Sequence, residues 1–151
     1  MNEVPFTESL AHFVANDRWS EVEQFFNELA FPKHLGIHVS LSDPANPRCE
    51  INAIEPFHLG GVGKNYVNGA VISGMFDLVI GLTGIAYTPM GNMATSNVNI
   101  RMLKPVEKNS FYVTGAVTQK VGNRVFSEAT LFDYLGEACA VANGEIRVGM
   151  A

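Results

Sequence analysis

Two cysteines occur in 151 residues, Cys49 and Cys139, far apart and without a Cys-x-x-Cys pair. That shortage argues against a disulfide framework or a thiolate zinc site, and it suits two buried thiols in a reducing compartment. Positive charge is the next deficit, with 10 Lys and Arg against 15 Asp and Glu and a formal charge of −5. A general nucleic-acid binder carries a basic face, so that class is disfavoured, while a local basic pocket for one anionic ligand is still allowed. The 4 histidines are scattered rather than clustered. Behind Met1 come acidic and polar residues instead of a basic stretch and an apolar core, which gives no secretory signal and a cytosolic expectation. Repeats, low-complexity tracts and linkers are missing too, so the chain reads as a single domain.

What the chain has in quantity is apolar residues, 47% against 17% charged, enough for a core at ordinary domain size. They concentrate in Asn68 to Gly84, "NGAVISGMFDLVIGLTG", a run with one carboxylate, Asp77, near its middle. Its extension to Tyr87 approaches the length of a membrane span, about 20 residues. A central aspartate costs roughly 2.5–3.5 kcal/mol on insertion scales, and the glycines weaken the run further as a span. The expectation is a buried core helix.

Before this helix, "TESLAHFVAN" and "DRWSEVEQFFNEL" carry apolar residues at helical spacing, with Thr7 and Asp17 or Ser20 as N-caps and Pro32 ending the region. These helices read as a docking or lid segment. "HLGIHVSLSD" opens extended structure, "PANP" is a turn, and "RCEINAIEPF" alternates as a second strand. "YTPMGN" is a loop. In "ATSNVNIRMLKP", Val98, Ile100 and Met102 face one way and Asn97, Asn99 and Arg101 the other, as in a half-buried strand. "SFYVTGAVTQKV", "NRVFSEATLFDY" and "EACAVANGEIRV" follow, separated by the tight-turn signals "GN" and "LG". One long helix followed by a meander of antiparallel strands makes the fold class α+β.

Ala70, Gly74, Asp77, Gly81 and Gly84 recur at steps of 4, 3, 4 and 3, a stripe of small residues with the aspartate embedded in it. Each helical glycine costs about 1 kcal/mol against alanine, so something packs closely on this stripe, and for the glycines alone helix-on-sheet packing is sufficient. Asp77 differs. Burying an unpaired charge is costly, apolar neighbours push a carboxyl pKa up, and such groups gather at functional sites, although structural ion pairs also produce them.

These residues carry a resemblance. "VNGAVISGMFD" is similar to the signature of hotdog-fold acyl-coenzyme A thioesterases of the phenylacetate-degradation (PaaI-like) type, where a His-Gly-Gly opens a long central helix and an acidic residue follows nine positions after the histidine. Asn68, Gly69 and Ala70 stand at the triplet and Asp77 at the acid. "HLGIHV", "EPFHLGG", "ATSNVNIRMLKPV" and "VTQKVGNRVFSEATLFDYLGEACAVANGEIRV" resemble further family segments in the same order, covering roughly Leu35 to Val148. The resemblance implies a hotdog core over 34–151, an antiparallel sheet wrapped around the helix, with a helical extension over 1–33.

It also implies a mechanism. The Gly69 backbone N–H at the helix N-terminus would serve as oxyanion donor, and Asp77, from the other subunit of a dimer, as general base on water or as nucleophile. Thr95 and Asn97 match positions that line the acyl pocket. Arg124, after "VGN", would lie near the nucleotide phosphates of coenzyme A, with Lys104 a weaker candidate; as surface cations both can simply be solvated. No metal or redox cofactor is implied, coenzyme A being part of the substrate, and the partner is a second copy, as homodimer or dimer of dimers (homotetramer).

Departures matter as well. Asn68 replaces the histidine and is the third catalytic candidate beside Gly69 and Asp77, with Ala70 a substrate-binding one; it keeps a hydrogen-bonding side chain and loses a titratable one. Gly81 stands where some relatives carry Ser or Thr, with Thr83 nearby on another face. The stretch between His58 and Asn68 is longer than the common pattern, so the side chain that holds the thioester is Asn65 or, as second choice, His58, which also reads as an ordinary loop histidine. A non-catalytic hotdog protein that binds an acyl thioester or stabilises an assembly is the alternative. A hotdog dehydratase is a weaker third, because no histidine falls near Asp77 in sequence.

Overall fold

The computed structural model describes residues 6–60, 65–88 and 92–149, with side chains from residue 10 onward. Three short helices, α1 (Phe6–Ala15), α2 (Trp19–Asn27) and α3 (Ala30–Leu35), precede β1 (His38–Ser40) and β2 (Arg48–Ile51). The long helix α4 (Gly69–Thr83) follows, then β3 (Met93–Met102), β4 (Phe111–Val121), β5 (Arg124–Phe132) and β6 (Ala138–Val148). All six strands form one antiparallel sheet in the order β1-β2-β4-β5-β6-β3. The sheet wraps α4, which packs on β2 through β6. This is the hotdog architecture, α+β.

Alternation in the strands explains the wrapping. In β4, β5 and β6 the residues Phe111, Val113, Val125, Leu131, Ala140, Ala142 and Ile146 are buried toward the helix, and their neighbours, the buried Cys139 apart, face outward. Against them α4 turns Val71, Ile72, Met75, Phe76, Val79, Ile80 and Leu82, each at most 7% exposed. This contact, rather than lipid, accounts for the apolar run: 61% of an 18-residue window within Gly69–Tyr87 is buried inside the chain. The expected turns hold at Gly122 (φ 59) and Gly136 (φ 77), left-handed positions where glycine avoids the Cβ penalty.

Strand order departs from a simple meander. The pair β1-β2 and the run β4-β5-β6 each follow chain order, while β3 crosses over to pair with β6 as a terminal strand ten residues long. Alternation along β3 cannot say which strand will be its neighbour, since many pairings bury the same face. Met102, expected on the inner side, is 47% exposed because it lies at the end of this edge.

The N-terminal helices are joined to the sheet by side chains acting in place of a strand. The Asn27 amide donates to the Val39 carbonyl at 2.9 Å and accepts from the Val39 N–H at 2.7 Å, and the Glu23 carboxylate accepts from the Leu41 N–H at 2.7 Å. The β1 edge is thereby covered. Helix boundaries differ from expectation at three points. Arg18, not Asp17 or Ser20, is the N-cap of α2 and makes no side-chain cap bond; Asp17 instead takes a left-handed turn (φ 53) between helices, and Ser20 lies inside α2 bonded to Glu21. Thr7 falls within α1. Pro32 sits in the first turn of α3, where a missing N–H breaks no helical bond, so it does not terminate the helical region. Helix α3 consequently runs across residue 33, where the extension was expected to end. In the "YTPMGN" loop, residues 89–91 lie outside the described residues.

Candidate active site

The first turn of α4 is built by Asn68. Its backbone is extended (φ −64, ψ 135), its side-chain Oδ1 accepts from the Ala70 N–H at 2.7 Å, and its own N–H donates to the His58 carbonyl at 2.7 Å. Asn68 is thus the helix N-cap, a role that asparagine fills well because its short side chain reaches an orphan donor. The Gly69 N–H is left at the positive end of the helix dipole as one of the orphan donors of the first turn. A Cβ on Gly69 would have no described atom within 4 Å. Among the described residues, nothing closes the terminus to an incoming carbonyl.

Asp77 lies two turns further along. It is exposed, on one face of α4 with Gly69, Ala70 and Ser73. The expectation of a carboxylate buried in an apolar helix is corrected by this placement: the helix is apolar on three sides, and Asp77 belongs to the fourth, which the sheet of its own chain does not cover. Ser73, also on this face, donates its hydroxyl to the Gly69 carbonyl at 2.7 Å. The small stripe is mostly packing. Gly74 receives the Phe31 ring, Gly81 faces Met93 and Thr95, and Gly84 meets Ile146.

The structure separates the remaining candidates. Thr95 points at α4, its Oγ1 3.8 Å from where a Gly81 Cβ would be, but a bulge between Thr95 and Asn97 turns Asn97 to the outer face of the sheet. There the Asn97 Oδ1 accepts from the Asn99 amide at 2.7 Å, and Asn99 also reaches Asn143. Asn97 and Thr95 therefore do not line one pocket, and the period-two pattern could not reveal the extra residue that separates them. His58 is not available for substrate. It is 1% exposed, its Nδ1 accepts from the Glu55 N–H at 2.8 Å, and its Nε2 lies 2.6 Å from the Leu35 carbonyl, to which it donates. Asn65 is exposed, with its carbonyl bonded to the Lys108 N–H at 2.9 Å, and it borders residues 61–64, which lie outside the described residues.

Of the cations, Lys104 is structural. It pairs with Glu137 and with Asp133 at 3.4 Å across the β5–β6 turn, and the Glu137 carboxylate first, then Asp133, holds its pKa up at about 12. Arg124 opens β5, with its Nε 3.3 Å from Glu145 Oε1, an oxygen that Arg147 shares at 3.2 Å. Two guanidiniums on one carboxylate leave a surplus positive charge on this surface. Thr83 is buried and bonded to the Ile80 carbonyl and to the Ser127 hydroxyl, each at 2.6 Å, so it does not substitute for a hydroxyl at Gly81. Both cysteines are free and buried, and burial pushes the Cys49 thiol far up.

Two side chains at this face were not singled out from the sequence. Ser73 lies four residues before Asp77, a spacing that marks a shared face. Phe31 offered no signal, because a six-residue helix is too short for a readable period.

Known proteins bear on the fold. No protein-family model matches the chain, and no curated protein matches its sequence. Among solved structures, a Shewanella oneidensis protein related to the thioesterase superfamily aligns with a TM-score of 0.79 at 20% identity, covering 90% of this chain and 98% of that one. The Escherichia coli PaaI protein from the phenylacetic acid degradation operon aligns with a TM-score of 0.70 at 16% identity, covering 95% and 96%. A Haemophilus influenzae thioesterase aligns at 0.73 and 13% identity, covering 85% and 88%. The chain has the hotdog fold found in these thioesterase-superfamily structures.

Proposed function

We propose that this protein hydrolyses an acyl-coenzyme A thioester, with the Gly69 N–H stabilising the oxyanion and the Asp77 of a second copy acting as general base on water or as nucleophile. One observation carries this reading. Gly69 and Asp77 are eight residues apart on one helix, about 12 Å along its axis, whereas an oxyanion donor and a base must each lie within about 3 Å of the reacting group. A single chain cannot bring the two together. A neighbour whose α4 runs antiparallel alongside can, and the uncovered face of α4 is the surface on which it would lie. The long open edge of β3 supplies the matching strand surface for a continuous sheet across a homodimer, with a dimer of dimers as a further step.

In this arrangement the bound carbonyl oxygen accepts from the Gly69 N–H, and charge developing on it is met by the helix dipole. The Asp77 carboxylate of the partner takes a proton from water as the water attacks the carbonyl carbon, or attacks that carbon itself to form an anhydride that water then cleaves. Coenzyme A leaves as the thiol. Asn68 holds the helix terminus in shape. Arg124, with the positive charge left over after Glu145 is shared, contributes to the nucleotide end, and Asn65, Ala70 and Thr95 border the thioester and acyl group.

The test is a hydrolysis screen over short, medium, long and aromatic acyl-coenzyme A substrates with released thiol detected, followed by complementation. Gly69→Pro deletes one N–H at the first helical position, where proline is well accommodated and where the extended Asn68 backbone suits a following proline. Gly69→Pro and Asp77→Asn should each be nearly inactive. Mixed and allowed to exchange subunits, they should recover about a quarter of wild-type activity, since half the dimers are hybrids with one intact site. Recovery of nothing would end the two-chain site, and a chain that hydrolyses no substrate would be read as a binding protein.

A further inference from the structure

We propose that Phe31 is the wall that limits the length of the acyl group, an inference that rests on the thioesterase reading above. The ring lies on α4 at Gly74, its Cζ 2.7 Å from where a Cβ would stand, so a side chain at 74 would displace it. Gly74 is one turn before Asp77 and one turn after Ala70 on the stripe of small residues. Although it is a large apolar ring seated against a helix, Phe31 remains 46% exposed, at the rim of the face left uncovered by the sheet. An acyl chain extending from a carbonyl held at that face runs along small residues and meets the ring edge. The ring offers apolar contact and no hydrogen bond, which suits a hydrocarbon end and not a polar one.

Phe31 is held in register with the helix terminus by a single buried residue. Helix α3 closes with the Ile37 N–H on the Pro32 carbonyl at 2.8 Å and Gly36 in the left-handed region (φ 66). Its last carbonyl, that of Leu35, takes the His58 Nε2 proton at 2.6 Å, and the His58 carbonyl in turn takes the Asn68 N–H at 2.7 Å. His58 thus fixes the helix that carries Phe31 relative to the cap of the helix that carries Gly69. A wall set this way has a defined distance from the carbonyl, which a specificity determinant needs and a mobile surface aromatic lacks.

The experiment measures kcat/KM on butanoyl-, hexanoyl-, octanoyl- and decanoyl-coenzyme A for the wild type, Phe31→Ala and Phe31→Trp, with melting temperature on the same preparations. Phe31→Ala should raise the decanoyl-to-butanoyl ratio by at least about tenfold, the scale of discrimination that one or more methylenes bring in an apolar pocket. Phe31→Trp should lower it. Opposite shifts from the two variants are a response that general loosening of the fold does not produce, and Phe31→Leu, with a smaller rise, replaces any variant that fails to fold. Normal turnover with an unchanged ratio in both variants overturns the role of Phe31 and leaves the thioesterase reading intact. If the wild type hydrolyses none of these or any other acyl-coenzyme A, that reading falls and this inference falls with it.

Discussion

The two sides of α4 obey different rules. Toward the sheet, large aliphatic and aromatic residues leave little exposed, and Phe76 and Met75 are at 0%. On the other side, across Gly69, Ala70, Ser73 and Asp77, side chains are small or charged and open to solvent. The buried side determines whether the chain folds, while the open side contributes little to one chain's stability and is free to be shaped by chemistry. Substitutions on the two sides should therefore separate stability from activity.

The largest effect is expected on the buried side. Phe76→Ala should cost about 3–5 kcal/mol, transfer of the ring plus the cavity it leaves, and denaturant titration would read it. Activity should then follow the folded fraction. Asp77→Asn tests the opposite side: its melting temperature should stay close to wild type, because Asp77 is exposed on its own chain, where a surface substitution changes stability by about 0.5 kcal/mol or less. Its kcat should drop at least about 100-fold, the lower scale for removing a general base. A folded Asp77→Asn dimer with undiminished turnover would erase the contrast.

Asn68 stands at the junction of the two sides. Asn68→Ala should lose about 1 kcal/mol with the cap, whereas Asn68→Asp keeps an acceptor for the Ala70 N–H and should restore that stability. If Asn68→Asp also keeps full turnover, the residue only caps; if its kcat remains depressed, the amide donor or the missing charge matters to the thioester. The smallest effect belongs to the outer face. Arg124→Ala should raise KM for acyl-coenzyme A a few-fold, a loss on the scale of about 1 kcal/mol for a partly exposed charge pair, while sparing a truncated thioester without the nucleotide. Equal loss on both substrates would remove Arg124 from binding.

Lys104 offers a pH-dependent counterpart away from the site. The pKa of its partner Asp133 is lowered, by the Glu137 N–H first and Lys104 among the further causes. A carboxyl lowered in the folded state stabilises above its unfolded pKa and loses that contribution as pH falls through the folded value. The β5–β6 turn should therefore loosen on strong acidification. Lys104 runs the other way, its contribution present below about 10.5 and lost only as pH rises through about 12. Melting temperature followed against pH in wild type and Lys104→Met would read both.

Much of this contrast was legible in the sequence, and the failures have a common cause. The apolar period of residues 69–83 marked the helix, its small stripe marked the side of close approach, and alternation with glycine turns marked β4 to β6, because those patterns are local consequences of burial. The side that faces solvent in one chain was misjudged for Asp77, since composition around a residue does not say which direction it points. The bulge at β3, the neighbour of that strand and the hub made by His58 depend on contacts distant in sequence. Phe31 meets Gly74 across more than forty positions, and no period within α3 announces it.

At the β1 edge, the Asn27 amide imitates the backbone of an absent strand, and that imitation can be timed. The Val39 amide proton has the Asn27 side chain as its acceptor and lies in a strand only three residues long. Its exchange with deuterated solvent therefore requires α2 to lift away rather than the sheet to come apart, while amides inside β5 wait for global opening. The Val39 rate relative to that of the same amide in an unfolded chain gives the free energy that seats the helical segment, and so the fraction of time that the carrier of Phe31 spends out of its place.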